Sequence, residues 1–395
     1  MRDFLQHLIR HPRALLPGAP RGIIGSARAW VAQQQAQVPA DIRRGPPAAV
    51  WEVDPCSLVS LPPPQQLTGS PRVPAQRLFP IPATALYFLR GARVIGTDAA
   101  VISPDNRVFA EFTYVDDAGG IDQHSLFKRR RFPAAKALPG WYATLSYPSA
   151  FAYFHWLVEC LPRVRLLEPH LDALDGVFVP ANLAESMRDA LIALGLRREQ
   201  LLPMEISSHF APEHLLVPNY CAGLDFPNWV PKYLRARVLG ETDATPRGTR
   251  RIYLSRARTS KRRLLNESEL LAVLARHGVD VVHAQEFSFI EQARLFADSQ
   301  LIVGPSGAAL TNAVFARPGA ALVCLQPDVS MGPHVFYSLA AAAGLDYWDI
   351  AGAPSSKDTP VEHADFLIDA AAVDRLLEAA ILRLAKSEGR IHARQ

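Results

Sequence analysis

Apolar and polar positions alternate most regularly after Gly248. Arg251-Ile252-Tyr253-Leu254-Ser255 reads as a strand. Asn266-Glu267-Ser268-Glu269 opens a helix, with Asn266 placed to accept the N–H three residues on and Glu269 to reach back, and His277-Gly278 stops it. Val279–His283 is the next strand, and Ser288-Phe289-Ile290-Glu291 is a capping box that starts a helix to about Asp298. Leu301-Ile302-Val303 is a third strand. Gly304-Pro305-Ser306-Gly307 then leads to a helix from Ala309 to Ala316, and Ala321–Leu325 is a buried strand. Strand and helix in such short steps predict a parallel, doubly wound sheet.

Earlier in the chain the rhythm changes. Ala85-Leu86-Tyr87-Phe88-Leu89 and Arg107–Phe112 read as short strands in hairpins, separated by turn signals such as Ser103-Pro104-Asp105-Asn106. From 140 to 235, runs such as Gly176-Val177-Phe178-Val179 alternate with helical patterns such as Leu183–Leu194, which ends at Gly195. Residues 15–75 are rich in Pro and Gly with little apolar periodicity and read as an extended arm. The predicted division is a basic, Pro/Gly-rich arm over 1–75, an α/β domain over 76–240, a second over 245–375, and a helical tail over 376–395.

Composition is that of a globular chain of two domains: 395 residues, 49% hydrophobic and 20% charged. Cys56, Cys160, Cys221 and Cys324 are far apart and form no C-x-x-C pair, which suggests neither a zinc site nor a disulfide framework. No apolar run approaches the roughly 18 residues of a membrane span, so a cytoplasmic location is expected, with contact at the cytoplasmic face of the membrane as an extension. That extension rests on residues 1–15, where Phe4, Leu5, Leu8 and Ile9 recur at helical spacing beside Arg2, Arg10 and Arg13. The alternative there is a short helix docked on the body. Seven arginines against Asp3 and Asp41 in residues 1–50 outweigh the whole chain's net charge of +4, so the basicity is local.

Three segments hold candidate chemistry. In an open parallel sheet, ligands bind beyond the carboxyl ends of the strands, where helix N-termini present N–H groups to an anion. Gly304–Asn312 suits that position: small residues admit a phosphate to the backbone, and Ser306 and Thr311 add hydroxyls. The same turn would equally serve to pack a helix on a strand. Arg247 to Arg263 holds eight cations and no acid, with Arg256 just past a strand, where a guanidinium can grip a diphosphate bidentately. In Tyr153–Arg163, His155 and Glu159 are four apart on one helix face, so the carboxylate can orient the imidazole; a histidine amid Phe and Trp can also be a hydrogen-bonded core residue. Glu269 and Glu291 occupy cap positions and read as structural, whereas Glu286 precedes its cap and is left for a ligand.

Taken in order, Phe154-His155-Trp156-x-x-Glu159-x-Leu161-Pro162-Arg163, Tyr253-Leu254-Ser255-Arg256, Arg262-Arg263-Leu264-Leu265-Asn266-Glu267, Glu286-Phe287-Ser288-Phe289-x-Glu291-Gln292 and Gly304-x-x-Gly307-Ala308-x-Leu310-Thr311-Asn312 resemble glycosyltransferase family 61 over roughly residues 80–330. The resemblance implies a GT-B fold, two Rossmann-like domains facing a cleft, and an inverting, metal-independent transfer from a nucleotide-sugar. UDP-sugar is the leading donor. The acceptor is a hydroxyl of a glycan, a capsule, lipopolysaccharide or other lipid-linked glycan, or a protein. No cofactor beyond the co-substrate and no metal is expected, and the sequence contains no D-x-D. By resemblance, Arg256, Glu286, Ser306, Gly307 and Asn312 are donor-site positions, to which Arg262, Arg263 and Thr311 are added, and His155 and Glu159 are cleft residues. One departure stands out. Where many members read His-Gly-Ala-Gly, this chain has Ser306-Gly307-Ala308-Ala309, which keeps a hydroxyl but not imidazole chemistry.

An inverting transfer needs a base at the acceptor and positive charge at the departing diphosphate. His155, aided by Glu159, is the first candidate base and Asp225 the second; Arg256 and the N–H groups near Ser306 and Gly307 meet the second need. Two other classes compete. A non-catalytic protein would grip nucleic acid or another polyanion through 247–263, although no nucleic acid is expected as partner. A serine hydrolase would use Ser306 at a nucleophile elbow, but G-x-S-x-G fails at Ala308.

Overall fold

The computed structural model describes residues 18–36, 46–61, 65, 77–113, 120–146, 150, 152–219, 225–240, 248–328, 334–356 and 364–392. The amphipathic segment at 1–15 lies outside them. The chain forms two compact units, Met1–Cys56 with Pro82–Cys221, and Ser57–Ile81 with Ala222–Gln395.

In chain order the strands are β1 (Gly22–Ile24), β2 (Ala48–Asp54), β3 (Ser57–Leu61), β4 (Arg77–Ile81), β5 (Thr84–Arg90), β6 (Arg93–Ile95), β7 (Ala100–Ile102), β8 (Arg107–Phe109), β9 (Lys136–Thr144), β10 (Gly176–Pro180), β11 (Leu201–Met204) and β12 (His209–Pro218). Those of the first unit form one mixed sheet. Its parallel part runs β12-β9-β10-β11, and β5, β6 and β7 extend it by antiparallel pairing. The doubly wound expectation for this half therefore holds only for β9 to β12. The hairpins of the β5–β8 region follow the sequence reading, except that β8 stops at Phe109 and Ala110–Phe112 is a 3-10 turn where the sequence predicts a strand.

The extended-arm reading of 15–75 is corrected wherever that stretch is described. β1 pairs with β8, β2 pairs with β5, and Ala27–Ala36 is a helix. Trp30 of that helix is buried and meets Phe109 edge-on at 5.1 Å. The partners that turn this Pro-rich stretch into structure lie tens of residues away, so no local pattern announces them. Among the described residues β3 and β4 pair with each other as a separate two-stranded sheet, and they belong to the second unit.

The second unit holds a six-stranded sheet of β13 (Arg250–Leu254), β14 (Asp280–Val282), β15 (Ser299–Pro305), β16 (Ala321–Pro327), β17 (Asp346–Pro354) and β18 (Phe366–Leu367), ordered β14-β13-β15-β16-β17-β18. All neighbours are parallel except β17 and β18. Side chains alternate across it. Tyr253, Leu301, Val303 and Val323 bury one face under the helices Glu267–Arg276 and Ala370–His392. Ile252, Ile302 and Leu322, also buried, point to the other face. The helix Trp229–Leu239, which the sequence places in the first domain, sits in this unit: Arg235, 1% exposed, donates to the carbonyls of Val314 and Ala316.

Candidate functional site

The basic segment folds into a tight loop closed by one of its own cations. Arg256 follows β13 directly, and its Nε and Nη2 donate to the carbonyls of Arg262 (3.2 Å) and Lys261 (2.8 Å). Arg262 turns the chain with φ of 54°, a left-handed conformation uncommon for a side chain of this size. Arg263 leaves the loop by donating its backbone N–H and its guanidinium to Asp365, at 2.8, 3.0 and 2.7 Å. Arg263 is therefore an anchor between the loop and the approach to β18. Burial, reinforced by the Arg262 charge, lowers the Arg256 pKa to about 10. The third nitrogen of Arg256, Nη1, lies against Gly307, so closely that a Cβ on that glycine would overlap it.

Gly307 reaches that position because Ser306 N–H continues the β15–β16 pairing to Leu325 O at 2.7 Å before the chain turns. The turn enters a 3-10 helix, Ala308–Phe315, where the sequence predicts an α-helix. Its residues from Leu310 to Phe315 are all buried. A segment apolar all round satisfies its burial without a helical period, and the tighter coil is set by what it packs against. Thr311 and Asn312 are both fully buried. Asn312 Nδ2 donates to Gln292 Oε1 at 2.9 Å and to Ala309 O, and Gln292 Nε2 donates to Phe287 O at 3.0 Å. Two of the sequence motifs are thus linked by one amide relay. Ser306, Gly307 and Arg256 come together at the carboxyl edge of the sheet, whereas Thr311 and Asn312 sit in the supporting layer.

Capping residues fall out as follows. Ser288 and Glu291 form the predicted box, with Ser288 N–H donating to Glu291 Oε2 at 2.8 Å. Asn266 does not cap its own helix. Its amide instead donates to Ile368 O and accepts from Ile368 N–H, tying the start of the helix to the residue that follows β18. Its Nδ2 also reaches Glu269 at 3.1 Å. Glu286 is half-exposed and forms an ion pair with Arg258 across the loop mouth.

The second constellation lies in the first unit. After β9, Leu145 and Ser146 both donate to Phe178 O, and the chain enters Tyr153–His155, a single α-helical turn. Trp156–Cys160 then winds as a π-helix, and Leu161–Arg163 tightens to 3-10 with Pro162 inside. Such a wide turn is rare and recurs at functional sites. His155 Nδ1 approaches Glu159 Oε1 to 3.1 Å, with side chains 31% and 4% exposed. The atoms are close but not aligned for a hydrogen bond, and Glu159 Oε2 finds no partner among the described residues. A buried carboxylate whose nearest charged neighbour is a partly exposed imidazole is costly to the fold. Phe154 meets the His155 ring edge-on at 5.1 Å.

Arg163, to which sequence reasoning assigned no role, is the clasp of this segment. It is 4% exposed and donates to Pro218 O at 2.8 and 3.1 Å, to Thr144 O at 3.2 Å and to Leu145 O. It thereby pins the π-turn to the carboxyl ends of β9 and β12. Asp225 falls in the second unit, half-buried, beside Phe226, whose N–H donates to Ser338 Oγ at 3.2 Å. Among the described residues no three His, Cys, Asp or Glu side chains converge to hold a metal ion, and no helix is long and apolar enough to cross a membrane.

Comparison with known proteins matches residues 153–323 to the family Glycosyltransferase 61. Similar curated proteins are the protein O-linked-mannose beta-1,4-N-acetylglucosaminyltransferase 2 of Bos taurus (30% identical over 136 residues, 33% of this chain and 23% of that protein) and of Homo sapiens (28% over the same length and shares). The Tetraodon nigroviridis protein of that name is 32% identical over 114 residues, 28% of this chain and 20% of its own. The matched stretch spans less than a quarter of these relatives. The stretch from the His155 turn to β16, which includes Arg256 and Gly307, is therefore the part of the chain that is similar in sequence to that family.

Proposed function

We propose that this chain is an inverting, metal-independent glycosyltransferase that moves a sugar from a UDP-sugar to a hydroxyl of a glycan, lipid-linked glycan or protein, on the cytoplasmic side of a membrane. The observation that carries the reading is Arg256 held by its own loop with Nη1 against the Gly307 backbone, at the carboxyl edge of a parallel sheet. A leaving diphosphate needs fixed positive charge and N–H donors that do not reorganise as negative charge develops. Arg256 supplies the first. The backbone at Gly307 and Ala308 supplies the second, with Ser306 Oγ as a further donor. The relatives are named for N-acetylglucosamine transfer to O-linked mannose, which makes UDP-N-acetylglucosamine the first donor to test.

At the acceptor, His155 takes the proton of the attacking hydroxyl while the oxygen bonds to the anomeric carbon and the nucleotide departs from the opposite face. Glu159 balances the imidazolium that results. Asp225 is the second candidate for the base.

The test is a thermal-shift screen with UDP, GDP, CMP, TDP and their sugar conjugates, with and without EDTA. A ligand bound only by the folded state at about 100 times its dissociation constant adds about 2.7 kcal/mol. A shift confined to uridine nucleotides that survives EDTA supports the reading. Silence toward every nucleotide, with salt-sensitive retention of oligonucleotides, would replace it by the polyanion-binding alternative.

A further inference from the structure

A run of four cations on the first unit is used by nothing described above. Lys128-Arg129-Arg130-Arg131 stands in a stretch, residues 123–158, that holds one further Lys or Arg, Lys136, and no Asp or Glu. Lys128, Arg130, Arg131 and Lys136 are exposed and Arg129 is half-buried. Among the described residues none of these five side chains forms an ion pair. The basic loop of the second unit differs: there Arg256 is closed on its own loop, Arg258 pairs with Glu286 and Arg263 with Asp365.

The fold holds this run out to solvent. Ahead of it, the 3-10 turn Ser125–Lys128 is capped by His124, whose Nδ1 accepts from Leu126 N–H at 3.2 Å while its Nε2 meets Asp98 Oδ2 at 2.8 Å. Leu126, Phe127 and Phe132 are buried in one apolar cluster with Ile95, Ile102 and Val108. The cations are thus displayed between two apolar anchors, Phe127 before them and Phe132 after. Phe132 N–H also donates to Gly18 O at 2.8 Å, so the chain that precedes Gly18 joins the unit beside the run. By sequence that chain, residues 1–17, carries Arg2, Arg10 and Arg13 together with Phe4, Leu5, Leu8 and Ile9.

Adjacent like charges without partners repel one another and add nothing to the compact state. Exposed cations on long stems give no fixed geometry to a single phosphate, whereas an extended layer of anionic headgroups asks only for their charge. Phe127 and Phe132 are buried, so the run offers no aromatic face on which a nucleic-acid base could stack. The neighbouring N-terminal stretch adds apolar side chains to more cations, and a stable attachment to a bilayer takes two such signals.

We infer that Lys128–Arg131 is a docking surface for a membrane that carries anionic phospholipids. It goes beyond the transferase reading and does not depend on the donor or the acceptor.

The test is flotation of the full chain with vesicles of phosphatidylcholine alone and of equal parts phosphatidylcholine and phosphatidylglycerol. Binding is expected to the second and not to the first, and it should weaken as salt is raised. Each Lys or Arg at an anionic surface is worth about fivefold in binding. Lys128→Gln combined with Arg129→Gln, Arg130→Gln and Arg131→Gln is therefore expected to lower the partition coefficient by about a hundredfold or more, with the melting curve of the wild type. Wild-type binding in that folded variant overturns the inference, as does a wild type that ignores the anionic vesicles or binds both kinds alike. Should the quadruple variant fail to fold, Arg130→Gln with Arg131→Gln, both exposed, takes its place, and unchanged partitioning there overturns it. Retention of a DNA duplex that the quadruple variant loses, without vesicle binding, would replace the membrane by nucleic acid as the partner. The UDP thermal shift is read in the same samples: its absence with vesicle binding intact counts against the transferase reading alone.

Discussion

Gly307 and Arg256 touch so closely that a Cβ on the glycine would overlap Nη1 of the guanidinium. The glycine has φ of −179°, extended backbone open to any residue, so it is the space and not the conformation that selects it. Gly307→Ala is expected to push Arg256 out of place and weaken UDP binding by about tenfold or more, or about 1.4 kcal/mol. Isothermal titration with UDP checks this. Gly304→Ala is the control, since its Cβ would meet Leu254 Cβ at 3.1 Å, a local packing matter.

His155 is expected to act in the chemistry and not in donor binding. His155→Ala should lower kcat by about 10² to 10⁴ while the UDP thermal shift is unchanged. Near-normal turnover would remove His155 from the mechanism and move attention to Asp225.

Arg163 is expected to matter to folding. Removing its guanidinium leaves buried carbonyls of Thr144 and Pro218 without those donors, at about 1–3 kcal/mol for each unsatisfied group. Arg163→Met should therefore lose about 3 kcal/mol or more in urea denaturation, with the m-value unchanged.

Glu286 separates two roles cleanly. Its pair with Arg258 is exposed on both sides, and such pairs contribute about 0–1 kcal/mol. Glu286→Ala should leave Tm nearly unchanged. A rise in the donor KM would place the carboxylate on the donor, and unchanged kinetics would leave it as a surface ion pair.

Asp365 gives a pH signature. The Arg263 guanidinium holds its carboxyl below the ordinary value of 3.8. A depressed carboxyl pKa stabilises the fold fully above the unfolded value, and the contribution disappears as pH falls through the folded value. Asp365→Asn should therefore lower Tm at pH 7, and the gap between variant and wild type should close as the pH drops below about 4. A gap that stays constant down to pH 3 would mean that the Asp365–Arg263 charge pair is not what stabilises the loop.

The sequence by itself determined the local grammar of the second unit. The β13–β16 strands and the two α-helices that precede β15 follow from apolar period and stop signals, and the Ser288–Glu291 cap from a four-residue spacing, because each needs only neighbours within one helical turn. It also placed the small residues after β15 and the guanidinium after β13 at one edge of the sheet, since both follow from where the strands end. Tertiary structure decided the rest. That Thr311 and Asn312 support the site from within, that Arg163 is a clasp and Arg263 an anchor, and that Asn266 binds Ile368 and not its own helix all depend on partners distant in the chain. Residues 22–36 and 48–61 read as a Pro-rich arm for the same reason: a strand at a sheet edge is defined by hydrogen bonds to β5, β8 or its own hairpin partner. The π-turn at Trp156–Cys160 is the clearest case. Its residues read as an ordinary apolar helix with one carboxylate, and the carbonyls of Thr144 and Pro218 that Arg163 holds beside it come from strands distant in the chain.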